Sequence, residues 1–145
     1  MGNRRHLSRQ LAAQLLYAAH FQPGVLPGEL LTRLCETDLA RYKDWTPFCQ
    51  TLVRQTLEHE AELDAAIGPA LENWRLERMP IVDRNILRMA IYEMKSLGTP
   101  PAVVIDEALE LARRYSEEEA VPFVNGVLDA IRKILFPEGP VSASN

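Results

Sequence analysis

An all-α helical bundle of about seven helices is the fold class this sequence predicts. Apolar residues recur at intervals of three and four in successive windows, the period of a helix face. No stretch of useful length alternates apolar and polar residues as a half-buried strand would. Proline and glycine punctuate the periodic windows at Pro23-Gly24, Gly68-Pro69, Met79-Pro80, Gly98 and Thr99-Pro100. A chain of 145 residues, 47% of them hydrophobic, is globular and one domain's worth, or two small halves. At that size folding buries about 70% of the unfolded surface, so a core forms without metals or disulfides.

Leu7, Leu11 and Leu15 form the apolar stripe of a first helix, with Arg5 and Arg9 one turn apart on another face. His6, Gln10, Ala13 and Tyr17 make the adjoining row. That helix stops before Pro23-Gly24. Pro27 suits the first turn of a second helix through Leu30, Leu31 and Leu34. The pattern breaks around Tyr42–Thr46. A long third helix follows Trp45, with Phe48, Leu52, Val53, Thr56, Leu57, Ala61 and Leu63 or Ile67 inward, until Gly68-Pro69 ends or kinks it. Leu71–Arg75 reads as a short helix. Ile81, Val82, Ile86, Leu87, Ala90, Ile91 and Met94 give the strongest helical period in the chain, closed by Gly98. Thr99 as N-cap and Pro100 at the first helical position open the next helix, whose apolar residues are Val103, Val104, Ala108, Leu109 and Leu111. Ser116 and Glu119 have capping-box spacing, with Pro122 pushing the regular start of the last helix towards Ala120. Phe123, Val124, Val127, Leu128, Ile131, Ile134 and Leu135 carry that helix inward. Gly126 in its middle costs about 1 kcal/mol relative to Ala, which points to a close approach by another backbone or a ligand. Pro137–Asn145 reads as a solvated tail.

The chemistry-bearing patterns are missing. Cys35 and Cys49 lie in no CxxC spacing and read as reduced, partly buried thiols, with a disulfide between them as the alternative. No apolar run approaches the length of a membrane span, and the N-terminus lacks a signal core, so a cytoplasmic protein is expected. The residues three before His6, His20 and His59 are Asn3, Tyr17 and Thr56, so no Glu-x-x-His pair exists for a di-iron bundle. His59-Glu60 begins a zinc-protease motif that Leu63 breaks. Phosphate-cradling glycine loops and nucleophile elbows are absent. The acidic clusters Glu58/Glu60/Glu62 and Glu117/Glu118/Glu119 read as a solvated face and a helix start favouring negative charge. No catalytic residue, metal site or cofactor is expected.

Charge is what stands out. No acid precedes Glu29, so Arg4, Arg5 and Arg9 give residues 1–28 a charge of +3 and leave −7 for the rest of a chain whose total is −4. Arginines grip RNA phosphates and aromatics stack on unpaired bases, and Arg5, Arg9 and Tyr17 supply both groups on one helix. A frayed basic end and a core aromatic are the plainer readings of the same residues.

The C-terminal half carries a resemblance. Leu87-Arg88-Met89-Ala90-Ile91-Tyr92-Glu93 is followed by Ile105-Asp106-Glu107-Ala108-Leu109-Glu110-Leu111-Ala112 and then by Phe123-Val124-Asn125-Gly126-Val127-Leu128-Asp129. With Arg4-Arg5 and Ala13-Gln14-Leu15-Leu16-Tyr17, these segments resemble the NusB family of bacterial transcription antitermination factors over essentially the whole chain. The resemblance implies two small helical subdomains, about 4–78 and about 79–136, with 137–145 as a tail. It implies a non-catalytic protein that binds boxA RNA of ribosomal leader transcripts together with NusE, a small-subunit ribosomal protein, in an RNA polymerase complex that reads through terminators. By that resemblance the RNA-binding residues are Arg4, Arg5, His6, Arg9, Gln14, Tyr17, Tyr115 and Phe123. Asp83 and Glu119 match partner-sensitive positions. His6 and Leu7 stand where the family carries basic residues, and Pro122 stands in place of Lys.

About three phosphate contacts give a single-strand salt slope of roughly −2, so a fourfold rise in salt costs about twentyfold in affinity. A site that modest gains from a partner's own contacts. The second expectation is a non-catalytic protein–protein module or homodimer that hides the RNA face, and the third an RNA-targeting domain like that of ribosomal RNA methyltransferases. Asn125 and Asp129 are expected to serve helix packing and hydrogen bonding, with direct RNA contact as the alternative, and Glu93 and Glu107 to pair with arginines such as Arg88.

Overall fold

The computed structural model describes residues 2–35, 46–71 and 75–137. Seven α-helices are present among them: α1 Gly2–Phe21, α2 Pro27–Cys35, α3 Thr46–Glu58, α4 Glu60–Ile67, α5 Ile81–Ser96, α6 Pro101–Tyr115 and α7 Ala120–Leu135. Short 3-10 turns occupy Gly68–Ala70 and Leu76–Arg78, and the described residues contain no strand. The all-α expectation is met. The break expected around Tyr42–Thr46, most of the expected Leu71–Arg75 helix and the tail beyond Pro137 lie outside the described residues.

The chain divides into two compact units, Met1–Glu60 and Ala61–Asn145. The division comes earlier than the boundary near 78/79 that the resemblance implies. The reason is what α4 binds. Arg88 on α5 donates from Nε and an Nη to both carboxylate oxygens of Asp64 at 2.7 and 2.9 Å. Lys95 reaches Glu62 at 3.1 Å, and the Gly68–Ala70 turn packs on α7. Met79-Pro80 therefore starts a helix inside the second unit.

In the first unit α1 packs chiefly on α3, with α2 against both. Leu11, Ala12, Leu15 and Leu16 are buried on α1, as are Cys49, Leu52 and Val53 on α3 and Leu30 on α2. Each fully buried leucine contributes about 1.5–3 kcal/mol of transfer free energy. The buried face of α1 is broader than the leucine stripe, because Ser8 and Arg9 lie on it too. Cys49 is buried; the side chains of Cys35, Leu31 and Leu34 fall outside the described set. The single long helix expected after Trp45 is two helices. They meet at His59, whose backbone N–H still donates to the Gln55 carbonyl and whose Nδ1 lies 2.9 Å from the same oxygen.

In the second unit α5, α6 and α7 pack on one another. Helix α5 is buried on most sides, with Ile86, Leu87, Met89, Ala90, Ile91 and Met94 in the core. Val104, Ala108, Leu111 and Ala112 face it from α6, and Val124, Val127, Leu128 and Ile131 from α7. Gly98 follows α5 at φ +72°, the left-handed conformation that closes a helix and favours glycine. Helix α6 starts one residue later than expected. Pro101 forces the residue before it out of the helical region, so Pro100 (ψ 134°) is the N-cap and Pro101 the first helical residue.

The capping box does not form. The Ser116 hydroxyl donates instead to Asp83 Oδ1 on α5, and Glu119 caps α7 with no side-chain bond. Helix α7 does begin at Ala120. Gly126 is exposed, and no side chain or other backbone comes within 4 Å of where its Cβ would stand. The close approach expected there is not made among the described residues. Asn125 is also exposed, whereas Asp129 is half-buried and binds Arg132 at 2.7 Å and Lys133 at 3.2 Å.

Candidate nucleic-acid interface

Helix α1 carries the basic face. Arg4 and Arg5 are exposed in its first turns, and that first turn holds no acid. The positive end of the helix dipole lies at the same place, so three sources of positive potential add. Phe48 of α3 lies under them. The Arg5 guanidinium carbon is 4.2 Å from its ring centroid, and that of Arg9 is 5.5 Å away. Arg9 is only 5% exposed. It belongs to the inner face of α1, so its expected position on the outer face with Arg5 is corrected: the spacing fixed a turn of the helix but not its depth.

Further along the same helix His6 and Gln14 are half-buried, and the Gln10 amide nitrogen lies 2.9 Å from His6 Nε2. Tyr17 is 45% and Phe21 60% exposed. Their rings meet edge to face at 4.9 Å, and His20 meets Phe21 at 5.0 Å. The core-aromatic reading of Tyr17 is thereby set aside. Phe21, His20 and Phe48 were not singled out for this face from the sequence. Phe21 was legible as the residue four after Tyr17; Phe48 was not, because nothing local ties it to α1.

The second unit holds the remaining expected residues. Asp83, Glu119 and Phe123 are brought together around a cavity of about 390 Å³, with Met79, Pro80, Glu117 and Ala120 completing its wall. Asp83 is 5% exposed and accepts the Ser116 hydroxyl. Glu119 is exposed and Phe123 half-buried. Tyr115 does not line this cavity; it is half-buried with the Arg114 guanidinium 5.7 Å from its ring centroid. An apolar wall edged by carboxylates suits an aromatic base, whose amino groups donate to carboxylates, and repels a phosphate.

Among the described residues no group of three or more His, Cys, Asp or Glu is placed to hold a metal ion. None of the described helices is long and apolar enough to cross a membrane.

Comparison with known proteins points to one family. The model of the NusB family matches residues 6–133. The transcription antitermination protein NusB of Solibacter usitatus is 64% identical over 100 residues, 68% of each chain. That of Elusimicrobium minutum is 45% identical over 140 residues, covering 92% of this chain and 95% of the relative. Among solved structures, NusB in a crystal structure of antitermination factors NusB and NusE in complex with dsRNA superposes with a TM-score of 0.81. That pair is 32% identical, over 92% of this chain and 99% of the other.

Proposed function

The chain belongs to the NusB family, and on that premise we propose that it is an RNA-binding subunit in transcription antitermination, without catalysis of its own. It binds boxA RNA of ribosomal leader transcripts together with NusE, inside the cytoplasmic RNA polymerase complex that reads through terminators. The observation that carries this reading is the exposed, acid-free start of α1, with Arg4 and Arg5 at one end of the helix and the exposed rings of Tyr17 and Phe21 at the other. Between Arg5 and Phe21 the helix rises by about 24 Å at 1.5 Å per residue, room for several nucleotides of extended strand.

The residues divide by task. Arg4 and Arg5 take phosphates, Tyr17 stacks, and His6 and Gln14 offer hydrogen bonds along the same helix. In the second unit Phe123 stacks an unpaired base beside the exposed carboxylate of Glu119, and Tyr115 contributes from the end of α6. Asp83, expected at the partner surface, works from beneath: its carboxylate holds Ser116 and so fixes the corner between α6 and α7.

With Arg9 turned inward, two exposed arginines remain. The salt slope becomes about −1.4 and a fourfold rise in salt costs roughly sevenfold, not twentyfold. Affinity that weak calls for a second protein on the same RNA. Titrating labelled boxA RNA and a scrambled RNA with the protein, with and without NusE, tests the proposal. NusE should tighten binding and boxA should be preferred; absence of both effects overturns it.

A further inference from the structure

The deepest departure from pattern in the first unit is the stack at the start of α1. Arg5 is exposed, yet its guanidinium lies 4.2 Å from the centroid of the Phe48 ring. No ion pair joins Arg5 to any described residue. The neighbouring Arg9, 5.5 Å from the same centroid, adds a second positive charge, and the first turn of α1 adds the dipole. The negative face of the ring attracts the Arg5 cation and holds it in place.

We propose that Phe48 is a positioning residue for RNA: it seats the Arg5 guanidinium and presents the charged edge of Arg5 to a phosphate. This rests on the functional reading above. A free arginine side chain loses rotamer freedom when it grips a phosphate. A guanidinium already held over a ring has lost part of that freedom, while its exposed N–H donors stay available. Phe48 touches no RNA in this arrangement; it acts through Arg5. The half-buried position of Phe48 on α3 keeps the ring in place, because α3 is the helix on which α1 packs.

The experiment uses the full chain with NusE and a fluorescein-labelled boxA RNA. Phe48→Leu keeps apolar bulk and removes the ring; affinity should fall about two- to fivefold, the size of an exposed cation–π contact. Phe48→Tyr should restore it. In an Arg5→Gln background most of the Phe48→Leu effect should vanish, since the group being positioned is gone. Arg5→Gln should flatten the salt slope by about 0.7, and Phe48→Leu should leave the slope near its original value because the charge remains. Where Phe48→Leu melts too low to assay, Arg5→Lys reads the same contact: it keeps the charge, loses the guanidinium that the ring seats and should also weaken binding.

The positioning role is overturned if Phe48→Leu binds as the unaltered protein does, if its loss is the same with and without Arg5, or if Phe48→Tyr fails to rescue. An indifferent Arg5→Gln overturns it too. In each case an unaltered protein that still prefers boxA leaves the functional reading standing. If that protein shows no boxA preference and no gain from NusE, the functional reading itself falls.

Discussion

Arg88 and Arg5 are both held by aromatic or carboxylate groups of their own unit, but they are held for opposite ends. Arg88, on α5, is 5% exposed and forms a two-pronged ion pair with Asp64, with a third bond to Asn85 at 3.3 Å. Its charge is consumed inside the second unit. Arg5 is exposed and rests on the Phe48 ring, which neutralises nothing. Its charge remains available to an outside anion. The lesson is that an arginine's partner says more about its task than its burial does. A carboxylate marks structure, and a ring beneath an exposed guanidinium marks readiness to bind.

That contrast can be broken at either end. The largest effect belongs to Asp64→Asn, which takes the two-pronged carboxylate partner away from the buried Arg88 cation. Chemical denaturation should show a loss of about 3 kcal/mol, while RNA affinity per folded molecule stays unchanged. Charge reversal at the other end, Arg4→Glu with Arg5→Glu, should do the converse. RNA affinity should fall by tenfold or more in an anisotropy titration, with the salt slope flattened by about 1.4. Stability should hold or rise by about 0.3–1 kcal/mol, because acids suit the first turn of a helix.

Smaller effects sharpen the comparison within the second unit. Ser116→Ala removes the donor to the buried Asp83 carboxylate and should cost about 1 kcal/mol in thermal unfolding. The smallest concerns Asp129, whose carboxyl is held below its ordinary value of 3.8 by hydrogen bonds from Arg132 and then Lys133. A lowered pKa stabilises the folded state above the ordinary value, and that gain is lost as pH falls through the folded one. Melting curves of Asp129→Asn and the unaltered protein should therefore differ slightly at neutral pH and converge below pH 3.8; these ion pairs are open to solvent, so salt should shrink the difference.

The fold was legible where packing obeys the period. Helices α5 to α7 read cleanly because their apolar residues keep to one register and α5 is central. What escaped was nonlocal or decided by competition. Ser116 looked like a cap because its true partner, Asp83, is 33 residues away. The start of α6 moved by one residue because two consecutive prolines compete and the second decides the first's conformation. The site was half legible. The acid-free N-terminus and Tyr17 were visible, but spacing alone put Arg9 outside. Its inward turn follows from the way α1 packs on α3, the same contact that brings Phe48 beneath Arg5.

The most direct measurement is the affinity of the unaltered protein for boxA RNA, with and without NusE, against a scrambled RNA of the same length, at two salt concentrations. An exposed arginine pair at the start of α1 should give weak binding alone, falling roughly sevenfold for a fourfold rise in salt. With NusE the binding should tighten and discriminate boxA from the scrambled sequence. Equal affinity for both RNAs, unchanged by NusE, would contradict it.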